Sequence, residues 1–411
     1  MFWRFRLYGF LKNLRFFDPF LILFFREMGF PFLEIGILYS IREVATNILE
    51  IPTGILADAF GRRKAMLASF TAYIFSFALF YALPQFWFYA LAMVVFAVGE
   101  TFRSGTHKAM ILEHLRLKGL LEHKVAYYGL TRAASQFGSA IAALIAGGLV
   151  LYAGSYRVVF LASVVPYILG LFLFLTYPRE LDGERAPSFK ECRIEAVCRM
   201  KETVVDFLSM LRRLSLVRGL LSSAGFDALF KSTKDYLQPV LQAQALALPI
   251  FLTLSGEQRV AILVGLLYFV IYLVTSFASA QAGTVQKKLS SGRLAINGSY
   301  LLGLILLVCA GASQWLGVPG IAVGAFLALY ALQNIRRPIL VGYLADLLAQ
   351  RTMATGLSVE SQLRTLVMAA IAPLLGFLAD RWGVGPALLC VAGCGAVLFL
   401  LGRIRGSQSG E

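Results

Sequence analysis

Glu100, Arg103 and His107 stand in a run that is otherwise apolar, and at about 100° per residue they share a sector of about 60° on one helix face. A carboxylate, a guanidinium and an imidazole on one stripe can hold a counter-ion, pass a proton or grip an anionic group. Asp227, Lys231, Lys234, Asp235 and Gln238 fall within about 100° on another face, and Arg132, Ser135, Gln136 and Ser139 make a third. Nearer the start of the chain come Lys12, Arg15 and Asp18; Arg15 offers a planar fork and Lys12 a point charge, both suited to carboxylate or phosphate. Asp18, Glu43 and Glu100 are carboxylates that can take up and release a proton as their surroundings alternate between wet and dry. Against these uses stands plain fastening, in which Arg15 pairs with Asp18 and Glu360 with Arg364 to hold helices together.

The elements that carry these groups must lie in lipid. The chain has 411 residues, 58 % of them hydrophobic, more apolar side chain than one soluble core hides. Apolar runs fall near residues 7–27, 33–56, 65–84, 86–107, 126–152, 158–177, 215–241, 259–283, 294–313, 318–344, 355–378 and 384–402. Each is about long enough to cross ~30 Å of hydrocarbon as a helix, and none shows the alternation of a barrel strand. The expected class is therefore all-α, with twelve transmembrane helices. The opening residues mix Arg4, Arg6 and Lys12 into the apolar run without a small-residue cleavage site, so the first span is expected to remain as an anchor. A charged group inside such a span costs roughly 2.5–3.5 kcal/mol on insertion scales, so it is expected to face a water-filled cavity or a partner.

The formal net charge is +15, which in a soluble protein would suggest nucleic acid. Here Lys and Arg collect in the segments that alternate with Arg26, Arg157, Arg259 and Arg381, the only basic residues of the other side. This bias places both termini in the cytoplasm of a bacterial inner (plasma) membrane and leaves nucleic acid out. Lys108, Arg218, Arg336 and Arg337, near the ends of spans, can snorkel to the interface. A charged stretch with Pro178 and Pro187 divides the chain into 1–178, a linker of 179–213 and 214–411. Within the linker, Ile194, Val197, Val204, Leu208 and Leu211 have the spacing of a surface-lying helix. Gly147 and Gly154 at the end of the fifth span echo Gly376 and Gly383 at the end of the eleventh, as two repeated halves would. The three histidines and five cysteines have no metal-ligand spacing, and no cofactor or metal is expected.

The loop after the second span reads Gly54-Ile-Leu-Ala-Asp58-Ala-Phe-Gly61-Arg62-Arg63-Lys64. It resembles the loop signature of the major facilitator superfamily, Gly-x-x-x-Asp-(Arg/Lys)-x-Gly-Arg-(Arg/Lys). Gly54 suits close helix packing, Gly61 a tight turn, and Arg62, Arg63 and Lys64 an anchor at the cytoplasmic interface. The resemblance implies two six-helix bundles that rock about a central site, and gives Asp58 a gating role at the end of a helix in the opposite half. A carboxylate at a helix N-terminus contributes about 0.3–1 kcal/mol, enough to bias two states of similar energy. The chain departs from the family pattern at Ala59, where a basic residue is usual. It departs again at Arg103 and Gly105, which are too close together for the Arg-x-x-x-Gly of the fourth span. The second copy of the loop, near Lys287 and Lys288, has no aspartate. Ile51-Pro52-Thr53-Gly54 and the stretch from Arg351 to Ser358 with Glu360 also look like bacterial members.

In that superfamily the first, fourth, seventh and tenth helices line the pathway. The resemblance therefore brings Lys12, Arg15, Arg103, Lys231 and Lys234 to one cavity, and the polar face of the fifth span adds Arg132. The expected function is that of a monomeric secondary transporter, not an enzyme, which moves a small organic anion or zwitterion by alternating access coupled to protons. The alternative within transport is an exporter of amphipathic drugs or metabolites, which Phe16, Phe17, Phe20, Phe24 and Phe25 would suit. A membrane sensor or an intramembrane acyltransferase is a more distant reading, since no catalytic triad stands out.

Overall fold

The structure is a computed structural model that describes residues 1–120, 123–182, 198, 205, 214–249, 252–288, 292–347 and 353–404. The described residues contain helices and turns and no strand. In chain order the helices are α1 (Phe2–Leu11), α2 (Leu21–Glu27), α3 (Phe32–Phe60), α4 (Arg62–Ala82), α5 (Phe86–Arg103), α6 (Thr106–Leu117), α7 (Lys124–Ala153) and α8 (Val158–Leu175). They continue as α9 (Leu214–Thr233), α10 (Leu237–Ala247), α11 (Gly256–Lys288), α12 (Gly292–Trp315), α13 (Pro319–Leu347), α14 (Met353–Trp382) and α15 (Val384–Gly402).

Each of the twelve expected spans is occupied by helix, and the first, fourth and seventh are in two pieces. Among the described residues, eight helical stretches are long and apolar enough to cross a membrane. α8 shows what lipid does to such a helix. Val159, Phe160, Ser163, Pro166, Tyr167, Gly170 and Phe174 are buried on one face. Leu161, Val165, Leu169, Phe172 and Leu175 are exposed on the other. Both faces are apolar, so the outer one has hydrocarbon as its solvent and the inner one gains mainly from close packing. Gly170 supplies that packing: a Cβ there would lie 2.2 Å from the Phe70 ring.

The chain forms two compact units. The first comprises Met1–Gly29, Ile41–Met200 and Pro249–Leu273. The second comprises Phe30–Ser40, Lys201–Leu248 and Val274–Glu411. Most of each expected half lies in one unit, while α3 and α11 are divided between the two. Within the second unit the start of α3 is bound to α14: the Phe32 and Leu33 amides donate to the two Asp380 carboxylate oxygens at 2.8 and 2.7 Å, and Ser40 donates to the Ala369 carbonyl. Asp380 thus satisfies two of the orphan amides at a helix N-terminus. The surface helix expected between Phe189 and Leu211 falls outside the described residues apart from Cys198 and Val205, which are helical.

Candidate functional site

The first span is not a continuous helix. α1 ends at Leu11, residues 12–17 make turns that do not continue the helix, and a 3-10 turn over Asp18–Phe20 leads into α2. Irregular backbone at membrane depth survives only where protein or water meets its freed polar groups, and such breaks mark binding sites in transporters. Here neighbouring helices supply the partners. The Tyr167 hydroxyl donates to the Lys12 carbonyl at 3.1 Å, and the Asn13 amide donates to Ser139 Oγ at 2.8 Å. The α1–α7 approach beneath them depends on small residues, since a Cβ at Gly9 or at Gly138 would come within 2.6 Å of a carbonyl oxygen, of Thr131 or of Phe10.

This break carries Arg15 to the stripe on α5. The Glu100 carboxylate accepts from Arg15 through Oε1, from the Tyr73 hydroxyl through Oε1 at 2.6 Å, and from Arg103 Nη2 through Oε2 at 2.5 Å. Arg103 Nε also donates to the Tyr73 hydroxyl at 3.0 Å. The Lys12 ammonium lies over the Tyr8 ring, 5.4 Å from its centroid, and that ring stacks on His107 at 3.7 Å. Three cations thus gather about one carboxylate. The cluster is not sealed: Arg15, Arg103 and Glu100 keep 22, 19 and 23 % of their side-chain surface exposed. Asp18 lies within electrostatic reach of Arg15 at the head of the 3-10 turn. The fastening expected between Arg15 and Asp18 is replaced by the pair of Arg15 with Glu100, which the turn makes reachable.

Other expected members of the site make contacts of their own. Arg132 is exposed on α7, about two turns before Ser139 on the same face, whereas Ser135 and Ser139 are buried toward α1. Glu43 pairs with its neighbour Arg42 at 3.2 Å within α3. Lys231 and Lys234 belong to the second unit, where α9 gives way to α10 through a 3-10 turn over Lys234–Tyr236. Lys234 donates to Asp235 Oδ1, and the Tyr39 hydroxyl donates to Oδ2 at 3.1 Å. In the same unit Asp227 accepts from Gln333 at 2.6 Å and faces Arg337 at 3.7 Å. Glu360 accepts from Ser223 at 2.9 Å and pairs with Arg364 at 3.7 Å, the second expected fastening.

Sequence reasoning passed over Tyr8, Tyr73 and Tyr167, which wall the cluster. The available signal was polar spacing in an apolar run, since Ser69, Tyr73 and Ser76 share one face of α4. The phenylalanines Phe16, Phe17, Phe20, Phe24 and Phe25 are buried, and most stack on Phe77, Phe80, Tyr89, Phe160 and Tyr156. They form core, and Phe17 also lines a small hollow with Phe77, Phe80, Phe96 and Phe160.

The loop between α3 and α4 makes a tight turn at Gly61, whose φ of 98° lies in the region that favours glycine. A Cβ there would also press on the Asp182 carboxylate at 2.9–3.1 Å. Asp182 accepts from the Arg63 amide at 2.8 Å, so it caps α4. Arg63 reaches back to the end of α8, donating to the carbonyls of Phe174 and Leu175 at 3.1 and 2.8 Å. Arg62 faces Glu113 at 4.0 Å. No described atom comes within 4 Å of a Cβ at Gly54, so the close helix packing expected there is not made. The side chain of Asp58, the expected gating carboxylate, lies outside the described residues.

The fold has known counterparts. A crystal structure of the nucleoside transporter NupG superposes with a TM-score of 0.73 at 12 % identity over 98 % of both chains. That of a D-xylose-proton symporter does so with a TM-score of 0.69 at 14 % identity over 98 % of this chain and 97 % of the other. An uncharacterized MFS-type transporter, YxaM of Bacillus subtilis (strain 168), is 31 % identical over 90 residues, 22 % of this chain. The chain thus matches 23 % of the length of that curated relative. The family model of the Major Facilitator Superfamily matches residues 13–362, from the break in the first span to the pair at Glu360. With that match over most of its length, a helical fold shared with solved carriers, and ionic groups gathered inside apolar spans, the chain belongs to the Major Facilitator Superfamily and is a multi-pass secondary transporter, not an enzyme.

Proposed function

We propose that this transporter carries a small organic anion or zwitterion across a bacterial inner membrane, by alternating access coupled to protons, as a monomer with both termini in the cytoplasm. The observation that carries the reading is the cluster of Lys12, Arg15 and Arg103 around the single carboxylate of Glu100. A surplus of cations inside apolar spans is expensive, and a bound carboxylate or phosphate offsets it with charge-assisted hydrogen bonds. The guanidinium of Arg15 sits on irregular backbone, so it can follow a ligand without straining a helix. Lys231, Lys234 and Arg132 are proposed to act on the cargo in other states of the cycle. The gating role of Gly54, Asp58, Gly61, Arg62 and Arg63 remains part of the proposal, supported by the turn at Gly61.

Proton coupling is placed on Asp18, with Glu43 and Glu100 as the other carboxylates of the cycle. Glu100 is engaged by three donors, and Asp18 stands at the break within electrostatic reach of Arg15. Proton and cargo would then influence each other electrostatically. Asp18→Asn is expected to keep exchange of cargo across proteoliposomes and to lose accumulation driven by a pH gradient.

The test of cargo class is a thermal-shift screen of the purified protein against small carboxylates, phosphates, amino acids and amphipathic cations. An anion or zwitterion at about a hundred times its Kd should add about 2.7 kcal/mol of stability. Arg15→Ala should abolish that shift. Shifts from amphipathic cations alone would put the exporter reading in its place.

A further inference from the structure

At the foot of α4 and just beyond the end of α8, the structure has a pocket of about 330 Å³ lined by Arg63, Lys64, Leu67, Arg179 and Asp182. Its walls hold three cations and one carboxylate. The carboxylate is already employed, since Asp182 accepts the Arg63 amide at the start of α4. Arg63 is fixed in place by the two carbonyls at the end of α8, which take Nε and Nη2 and leave Nη1 with no acceptor among the described residues. Lys64 and Arg179 are exposed and have no ion-pair partner among the described residues. A fixed guanidinium flanked by two exposed cations is an arrangement that recognises a phosphate group.

The apolar surroundings indicate where that phosphate comes from. Phe172 and Leu175, on the last turn of α8 above the pocket, are 62 and 53 % exposed, and Leu67 carries the apolar surface into the pocket itself. A ligand with a charged head and acyl tails uses both surfaces, whereas free phosphate uses one. The pocket also lies at the end of the bundle read as cytoplasmic, where anionic lipid is concentrated and basic pockets between spans hold lipid headgroups. We propose that this pocket binds the phosphate of an anionic phospholipid, with the acyl chains lying along α8. The proposal does not depend on the cargo or on the coupling ion.

The test is native mass spectrometry of the full chain released from micelles that hold phosphatidylglycerol and phosphatidylcholine with the same acyl chains in equal amounts. The expected result is retention of phosphatidylglycerol in preference to phosphatidylcholine. The double substitution of Lys64→Ala with Arg179→Ala should lower phosphatidylglycerol occupancy about 5-fold for each charge removed. Lys64→Arg should retain it. Both positions are exposed, and a melting curve checks that the double variant folds; where it melts below the wild type, Lys64→Ala alone is read, with an expected loss of about 5-fold. Equal retention of the two lipids, or occupancy unchanged by the substitutions, would overturn the proposal. A third arm adds inorganic phosphate: if millimolar phosphate displaces phosphatidylglycerol and by itself raises the melting temperature of the wild type but not of the double variant, the pocket belongs to free phosphate and the lipid proposal is wrong.

Discussion

The two compact units solve the problem of charge in lipid in different ways. In the second unit three acids have a close cation: Asp227 faces Arg337, Asp235 holds Lys234 and Glu360 pairs with Arg364. Its further arginine, Arg336, is 1 % exposed, lies over the rings of Phe226 and Tyr300 at 4.5 and 5.2 Å, and donates to Ser222. There charge is paired or laid on aromatic faces, while the Arg337 and Lys234 side chains keep 53 and 33 % of their surface exposed. In the first unit one carboxylate, Glu100, serves Arg15 and Arg103, with Lys12 over the adjoining Tyr8 ring. The difference teaches that paired charge fastens helices, while a cluster with a surplus of cations over its one carboxylate is a place prepared for a counter-charge.

The strongest way to break that comparison is to remove the shared acid. Glu100→Gln leaves two arginines facing each other among apolar helices, and loss of one partner of a buried pair costs about 3–5 kcal/mol. The part-open setting puts the expected loss near the lower end, about 3 kcal/mol, read as a fall in melting temperature. Asp227→Asn keeps its Gln333 contact and should cost less, about 1–2 kcal/mol. Equal losses in the two variants would show that both clusters are fasteners. A small anion that restores the stability of Glu100→Gln, and does nothing for Asp227→Asn, would sharpen the contrast.

A second comparison runs between the repeated glycines. Gly154 and Gly383 both have positive φ, 67° and 86°, and end α7 and α14. Seven positions earlier, Gly147 packs within the first unit on Ala261 and Gly265, and Gly376 packs within the second on Phe32 and Leu33. The contacts differ in closeness: a Cβ would lie 3.0 Å from the Ala261 carbonyl oxygen in one case and 2.2 Å from the Phe32 carbonyl oxygen in the other. Gly376→Ala should therefore cost about 1–3 kcal/mol by overpacking, and Gly147→Ala less than 1 kcal/mol. Melting curves of the two variants measure this, and the reverse order would mean that α14 yields more easily than α7.

Helix positions were legible because hydrophobic runs of spanning length have few alternatives in lipid, and the glycine echo was legible because backbone contact leaves no room for a side chain. The partners of the charges were not. Spacing on one helix says which groups share a face, but the backbone break over residues 12–17 turns Arg15 toward α5, and no helical periodicity describes a segment that is not helical. The aromatic wall was hidden for a similar reason. Tyr8, Tyr73 and Tyr167 each read as an ordinary apolar residue until three helices bring them together. At the turn before α4, the capping carboxylate is Asp182, more than a hundred residues from the loop it serves, which only the tertiary fold reveals.

Arg132 gives the smallest expected effect and the cleanest control. On its own helix it belongs to one polar face with Ser135, Gln136 and Ser139, which is why it appeared to be a member of the site. The face that α7 presents to α1 is centred on Thr131, Ser135 and Gly138, the residues that meet Gly9 and Phe10. Arg132 shares the azimuth of Ser139 but lies about two turns nearer the start of α7, where its side chain is exposed. An exposed arginine near the end of a spanning helix keeps its charge in water by snorkelling, so its removal neither unburies nor unpairs anything. Arg132→Ala should therefore change stability by less than about 0.5 kcal/mol, and it should leave intact any thermal shift that Arg15→Ala abolishes. A ligand response lost in both variants would mean that Arg132 belongs to the same binding site as Arg15.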